Sequence, residues 1–196
     1  MAYLKVSEAR AAGRTARSSV SKSASQILIE DSARFSEADR YDVFLSHSYQ
    51  DADTIYGVKK IIESMNLSVY VDWIEDAGLD RGKVTTRTAL VLKKRMKVSS
   101  CLVYAHSSNA THSVWMPWEL GYFDGIKPGY VWILPLVTQE DSEFKGQEYL
   151  GLYPPVEKLT TLAQRLNLGF TNVGSERGDI PLSKAARGTA IYFTAT

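Results

Sequence analysis

Short apolar runs alternate with amphipathic helical segments through the middle of this 196-residue chain. The apolar runs predict five strands, at 42–46, 67–71, 101–105, 129–137 and 147–156. Apolar residues at helical spacing predict helices over 51–65 and 84–97, and another helix begins near Ser113. Strands that are apolar throughout and alternate with helices are typical of a parallel sheet covered on both faces. We therefore expect an α/β fold.

The order of these elements also predicts where a site lies. Right-handed crossovers leave few topologies, and a flavodoxin-like parallel sheet of about five strands with helices on both faces fits best. In such sheets ligands bind at the carboxyl ends of the strands. Polar or aromatic segments follow three of the predicted strands: Ser46, His47 and Ser48, then Asp72 and Trp73, then the loop 106–112 that leads to Glu119. We expect the functional site at this edge of the sheet.

The beginning of the chain differs in composition from the middle. Residues 1–37 are rich in Ser and Ala, and up to position 26 they hold five basic residues and one acid. Capped helical patterns beginning at Ser7 and spanning 23–35 predict a helical extension that packs on the domain or on a neighbouring subunit. The alternative is an organellar transit peptide, which is also basic and poor in acids.

The end of the chain gives a weaker pattern. After a main domain over residues 38–158, the tail 159–196 is rich in Gly, Ser and Thr with scattered apolar residues. A short helix is expected over 160–168, and the segment 191–193 is expected to pair as an edge strand or to dock on a partner. The tail is a candidate assembly element.

Composition limits the functions to consider. The net charge is +1, so no global field favours nucleic acid or an anionic membrane. Cys101 is the single cysteine, so no internal disulfide forms, which fits a reducing cytosol. The cysteine and the three histidines show no metal-ligand spacing, and no apolar run approaches the ~18 residues of a membrane-spanning helix. We expect a cytoplasmic protein without a metal.

The segment 113–125 carries the most unusual combination of residues. Glu119 lies there among aromatic and apolar side chains. Ser113 is a natural N-cap, and Pro117 is tolerated in the first turn of a helix. Trp115 and Glu119 are four residues apart and therefore share a face. The plain interpretation is a surface carboxylate stabilised by the helix dipole beside a core indole; the other is a functional acid.

Four segments together resemble a Toll/interleukin receptor (TIR) domain. They are the strand end 42–48, the strand 69–73 with the Gly-containing loop after it, the strand 101–105 running into Ser107 and Ser108, and the Trp115-x-x-x-Glu119 helix. The resemblance covers about residues 38 to 158. The intact Trp-x-x-x-Glu and the Ser-His-Ser strand end are similar to the bacterial, enzymatic branch, including the TIR proteins of Thoeris anti-phage defence.

This resemblance implies cleavage of the bond between nicotinamide and ribose in NAD+, with Glu119 as the catalytic glutamate. Nicotinamide leaves as a neutral molecule, so positive charge develops on the ribose, and a carboxylate fixed beside it stabilises that charge. Trp115 and Trp73 offer flat apolar surfaces for nicotinamide or adenine, with core packing as the alternative. No Gly-x-Gly-x-x-Gly follows the first strand, so NAD+ is expected as a substrate and no cofactor is expected.

The remaining candidates contact substrate at the same edge. Ser46, His47 and Ser48 are expected to donate hydrogen bonds to ribose or phosphate, and Asp72 lies at the next strand end. Arg81 and Lys83 lie in the loop that corresponds to the BB loop of the family, where they either meet the pyrophosphate or remain solvated charges.

Three functions remain open at this point. The first is an enzyme that converts NAD+ into a cyclic or modified ADP-ribose signal for a separate effector protein; the absence of a fused effector favours it. The second is a hydrolase that depletes NAD+, and the third is a non-catalytic scaffold, against which Glu119 beside Trp115 argues. Enzymatic TIR domains complete their site across a subunit contact, so a homo-oligomer is expected, and a head-to-tail contact that does not close would form filaments.

Overall fold

A five-stranded parallel sheet forms the centre of the part of the chain that the computed structural model describes, residues 2–33, 39–71, 86–139, 144, 146–160, 166–171 and 179–191. Its strands are β1 Leu4–Lys5, β2 Tyr41–Ser46, β3 Val69–Val71, β4 Ser99–His106 and β5 Val131–Val137. They are arranged in the order β1-β5-β4-β2-β3, with every neighbouring pair parallel. The predicted α/β fold with a flavodoxin-like sheet is confirmed.

The edge position beside β5 is held by the N-terminus and not by the segment 147–156. The two residues of β1 pair with the last two residues of β5. The segment predicted as a fifth strand forms a 3-10 helix, Glu148–Leu152, and then a single bridge between Pro155 and Ile133. Pro154 and Pro155 have no N–H to donate, so this segment does not extend a ladder.

Helices cover both faces of the sheet, as predicted. They are α1 Val6–Ala16, α2 Ala24–Ala33, α3 Ala52–Glu63, α4 Thr86–Lys97 and α5 Trp115–Ile126. Side chains alternate along each strand, so that Val43 and Leu45 enter the core under α1, α2 and α3, whereas Phe44 enters the core under α4 and α5. Helix α5 therefore lies on the face to which Phe44 and Ser46 of β2 point.

The N-terminal segment packs directly on the sheet and on α3. Helix α1 crosses α3 at Ala9, Gly13 and Gly57, and a Cβ added at Gly57 would lie 1.7 Å from the Ala9 carbonyl oxygen. The Lys158 N–H donates to the Ala2 carbonyl at 2.7 Å, which ties this segment to the part of the chain that follows β5. The division of the chain at 37 and 158 stays a prediction.

A small antiparallel sheet and a short helix end the described chain. They are β6 Glu157–Thr160, β7 Leu166–Thr171, β8 Asp179–Pro181 and α6 Leu182–Ala186, with the sheet in the order β6-β7-β8. Phe170 of β7 packs edge-on against Trp132, with ring centroids 5.2 Å apart. The helix predicted over 160–168 is wrong where the chain is described, because Thr160 and residues 166–168 are strand residues of the β6–β7 pair, in which Thr160 lies opposite Leu166. Ile191 is buried, and 192–193 lie outside the described residues.

Candidate active site

Glu119 is buried and is held against the end of β2. Glu119 is only 6% exposed and lies in the second turn of α5. The Ser46 hydroxyl donates to Glu119 Oε2 with an Oγ–Oε2 distance of 2.5 Å. Ser46 is the last residue of β2, so this hydrogen bond fixes the carboxylate at the carboxyl edge of the sheet. Two of the predicted site residues, 73 positions apart, are therefore in direct contact.

Helix α5 begins near Ser113, as predicted, but its N-cap residue is Val114 and not Ser113. The Ser113 hydroxyl accepts a hydrogen bond from the Met116 N–H at 3.3 Å. Pro117 is the third helical residue. Backbone N–H groups in the first turn of a helix have no intrahelical acceptor, so the proline costs the helix no hydrogen bond there. This start places Glu119 one turn into the helix on the side that faces the sheet, which explains why an acid in an apolar helix is buried.

His47 and Ser48 lie where the chain leaves β2, and both are buried. His47 Nδ1 lies 3.0 Å from the Leu45 carbonyl oxygen. A carbonyl only accepts, so this nitrogen carries a proton. The Ser48 hydroxyl accepts from the Gln50 N–H at 3.4 Å and caps the 3-10 turn Tyr49–Asp51.

Trp115 is half-buried at the start of α5 and packs against Trp118. The two indoles meet edge to face with centroids 5.5 Å apart, and Trp118 in turn stacks on Tyr122 at 5.6 Å. This aromatic row runs along α5 from the site edge outwards. A partly exposed indole at this edge is compatible with ligand contact as well as with packing.

Tyr104 is a site neighbour that the sequence analysis did not identify. It is opposite Ser46 in the register of β2 and β4 and is fully buried on the α5 face. Burial, together with the nearby Tyr149 phenol and the Glu119 carboxylate, raises the pKa of Tyr104 above its usual value. The phenol therefore stays neutral beside the carboxylate. The sequence signal for Tyr104 was the alternation of side chains along β4, which also turns His106 to the face covered by α5.

His106 stays neutral at the end of β4. Its ring packs on Tyr104 at 6.3 Å and edge-on against Phe144 at 5.1 Å between centroids. Burial lowers the pKa of His106 below its usual value.

Asp51 is a second residue that the sequence analysis missed. It is 7% exposed and accepts hydrogen bonds from Ser107 and Asn109 in the loop after β4. The loop itself was identified as polar, but its acidic partner lies 56 and 58 positions earlier and belongs to a helix start.

Comparisons with known proteins found relatives of this chain. No protein-family model matches the chain. A probable 3' cyclic ADP-D-ribose synthase, ThsB', from Bacillus cereus (strain MSX-D12) is 49% identical to it over 144 residues, which are 74% of this chain and 75% of that protein. The chain belongs to the same family of bacterial TIR proteins.

A second relative of this TIR protein is a putative cyclic ADP-D-ribose synthase, TIR2, from Cytobacillus dafuensis. It is 40% identical over 83 residues, 42% of this chain and 22% of that protein. The TIR resemblance that the sequence motifs indicated is thereby confirmed.

The TIR protein's remaining predicted site residues are not described. Asp72, Trp73, Arg81 and Lys83 lie outside the described residues, and their roles stay predictions. Among the residues that are described, no group of His, Cys, Asp and Glu is arranged to hold a metal ion, and no helix is long and apolar enough to cross a membrane. The described site is thus a buried carboxylate, a hydroxyl donor and neutral aromatic groups, an arrangement suited to stabilising a developing cation.

Proposed function

We propose that this TIR protein cleaves the nicotinamide–ribose bond of NAD+ and closes the remaining ADP-ribose into a cyclic product that signals in anti-phage defence. The observation that carries the proposal is the buried Glu119 carboxylate, held by Ser46 at the carboxyl edge of the sheet. The name of the Bacillus cereus relative, a probable 3' cyclic ADP-D-ribose synthase, supports cyclisation over simple hydrolysis.

The chemistry needs a fixed negative charge beside the ribose. When the bond from ribose C1 to the nicotinamide nitrogen breaks, its electron pair leaves with neutral nicotinamide and C1 becomes cationic. A carboxylate oriented before the reaction stabilises this transition state, because its environment need not reorganise as the charge appears. A nucleophile of the same ADP-ribose then bonds to C1 and releases its proton, which completes the ring.

Ser46 keeps the carboxylate in one orientation. Its hydroxyl donates at 2.5 Å, a short distance of the kind found when a hydroxyl donates to an ionised acceptor. Trp115, at the start of the same helix, presents an aromatic surface for nicotinamide or adenine. His47 and Ser48 directly follow Ser46, and their contact with the ribose or a phosphate is part of the proposal.

The biological setting extends the proposal. We place the reaction in the cytoplasm, with a separate effector protein that responds to the product. TIR–TIR contacts assemble the enzyme into a homo-oligomer, which becomes a filament if the contact does not close. A protein that stayed monomeric at every concentration and was fully active would contradict this assembly.

Mass spectrometry of NAD+ incubated with the purified protein tests the reaction. The protein is assayed dilute and concentrated, and Glu119→Gln is expected to lower nicotinamide release on the order of 10²-fold or more. Glu30→Gln is the matched control, because Glu30 lies on α2 across the sheet in an exposed ion pair with Lys22. A cyclic product that is lost only in the Glu119 variant supports the proposal. Accumulation of linear ADP-ribose alone would point to NAD+ depletion, and no turnover in any assembly state would reject the enzyme.

A further inference from the structure

The connections of the sheet diverge between β2 and β4. From β2 the chain continues through α3 to β3 on one side, and it then returns through α4 to β4 on the other side of β2. In open α/β sheets ligands bind in the crevice at such a switch point, outside the carboxyl ends of the strands. Two loops border this crevice, residues 47–51 after β2 and residues 107–114 after β4, here called the β2 loop and the β4 loop.

Asp51 joins the two loops across this crevice. One carboxylate oxygen accepts from the Ser107 hydroxyl, and the other accepts from Asn109 Nδ2 at 2.8 Å. The Ser107 hydroxyl also accepts from the Asn109 N–H at 3.1 Å, which folds the β4 loop around the carboxylate. The Asp51 N–H donates to the Ser48 carbonyl at 3.1 Å. Asp51 therefore holds the β4 loop with its side chain and the β2 loop with its backbone.

The β4 loop leads directly from this contact to α5. The Ala110 N–H donates to the Ser107 carbonyl, and the Ser113 N–H donates to the Ala110 carbonyl, each at 3.1 Å. The Ser113 hydroxyl then accepts from the first turn of α5. A continuous series of short-range hydrogen bonds thus connects Asp51 to the beginning of the helix that carries Glu119.

Both members of the Ser46–Glu119 pair are attached to loops that Asp51 holds. Ser46 directly precedes the β2 loop, and Glu119 follows the β4 loop by one helical turn. We propose that Asp51 is a positioning residue, which sets the approach of the Glu119 carboxylate to Ser46 and to the ribose by fixing the two loops relative to each other. This inference rests on the proposed function for its kinetic consequence, whereas its structural consequence is measurable without turnover.

Asp51→Asn tests the inference with little change in side-chain shape. The amide replaces one acceptor by a donor, so either Ser107 or Asn109 loses its acceptor in the present arrangement. We expect kcat for NAD+ consumption to fall by about tenfold or more, because small misplacements of catalytic groups are costly. We expect KM to change by less than about twofold, because Asp51 is buried and both of its carboxylate oxygens already accept hydrogen bonds from the β4 loop.

The chain offers a matched control and a rescue. Asp53→Asn removes a carboxylate from the first turn of α3, the helix that follows Asp51, where the Asp53 side chain is 62% exposed and pairs with Arg17. Adding Asn109→Asp to Asp51→Asn exchanges amide and carboxylate across the same hydrogen bond and keeps the net charge. The inference expects wild-type kcat in the control and recovery of most of the lost kcat in the double variant. Equal kcat in the two single variants, or a loss in Asp51→Asn that the second substitution does not recover, would overturn it.

A nuclear magnetic resonance experiment separates this inference from the proposed function. The side-chain carboxyl resonance of Glu119, assigned with Glu119→Gln, is recorded in the Asp51→Asn and Asp53→Asn variants. The inference expects a changed chemical shift in the first variant only, even if the wild-type protein consumes no NAD+. An unchanged Glu119 resonance in folded Asp51→Asn protein would reject the positioning role whatever the activity shows.

Discussion

At the scale of single residues, the Ser46–Glu119 pair shows how a charge is kept inside the protein. An ionised carboxylate in a buried position is expensive unless donors reach it. Ser46 supplies such a donor from the strand end, and the neutral phenol of Tyr104 shares the same face of the sheet. A buried carboxylate lowers stability, but its fixed orientation is what the proposed NAD+ cleavage requires.

Ser46→Ala is expected to lower both stability and activity. The substitution leaves one carboxylate oxygen of a buried acid without its hydroxyl donor, at a cost of roughly 1–3 kcal/mol in the free energy of unfolding. Activity should fall on the order of tenfold to a hundredfold, because the carboxylate loses its fixed orientation. Urea denaturation and NAD+ kinetics measure the two effects. Ser46→Thr keeps the hydroxyl and serves as the control; equal losses in both variants would show that the site is intolerant of any change.

Stability should fall at alkaline pH because buried acidic groups, Cys101 and Tyr104 among them, are kept protonated. Burial raises the pKa of Cys101 well above 9.0 and that of Tyr104 above 10.0. The folded protein then keeps protons that the unfolded chain releases, so stability is complete below about pH 9 and decreases as the pH rises further. Tyr104→Phe should reduce the slope of the unfolding free energy above pH 10 by about 1.4 kcal/mol per pH unit. The half-buried Tyr122, changed to Phe, is the control, and equal slopes in the two variants would contradict the assignment.

At the scale of elements, the crossing of α1 and α3 depends on small residues. The backbone of Ala9 approaches Gly57 so closely that a Cβ at Gly57 would overlap the Ala9 carbonyl oxygen. Helix propensity alone would favour Ala over Gly in α3 by about 1 kcal/mol. Because backbone atoms cannot move aside as a flexible side chain does, the close approach outweighs this preference.

Gly57→Ala should therefore destabilise the protein by about 1–3 kcal/mol or more. Gly121→Ala is the matched comparison, since Gly121 lies inside α5 and an added Cβ there meets nothing within 4 Å. That second substitution should stabilise by up to about 1 kcal/mol through helix propensity. Chemical denaturation of both variants measures the sign of each effect. A stabilised Gly57→Ala protein would mean that α1 does not pack against α3 in solution.

The sequence was sufficient for elements whose pattern is local. Residues 43–45 and 131–137 are continuous apolar runs, and they form strands because both faces of the sheet are covered. Strand β1 has two residues and no period of its own, so its pairing with β5 depends on where α1 docks. Segment 147–156 is as apolar as a strand, but its prolines prevent a ladder.

The same distinction applies to the site. Glu119 and Ser46 were identified because each belongs to a recognisable local motif, whereas their contact depends on how the strands and α5 pack together. Tyr104 and Asp51 were missed because nothing nearby in sequence distinguishes them from core and surface residues. Their neighbours, Ser46 in one case and Ser107 in the other, come from distant strand ends.

At the scale of the whole molecule, both ends of the described chain close over the central sheet. Leu4 is fully buried beside β5, and Glu8 of α1 pairs with Lys158 at 3.1 Å. Phe170 packs on Trp132 from the C-terminal sheet. The core under α1, α2 and α3 therefore contains residues from the beginning, middle and end of the chain, and such shared burial makes unfolding cooperative.

Removal of residues 1–17 should accordingly prevent the native fold. The deletion takes away β1 and α1, exposes the edge of β5 and uncovers the close-packed side of α3. The intact protein should unfold in one transition by circular dichroism and by tryptophan fluorescence, while the truncated protein should show neither the transition nor NAD+ consumption. A truncation can fail to fold for many reasons, so Leu4→Ala provides a graded test. This substitution should lower the free energy of unfolding by about 2–5 kcal/mol. The control is Val20→Ala, at a position 44% exposed, which should change the free energy of unfolding little. A truncated protein with the wild-type unfolding midpoint would show instead that the first 17 residues are a dispensable addition.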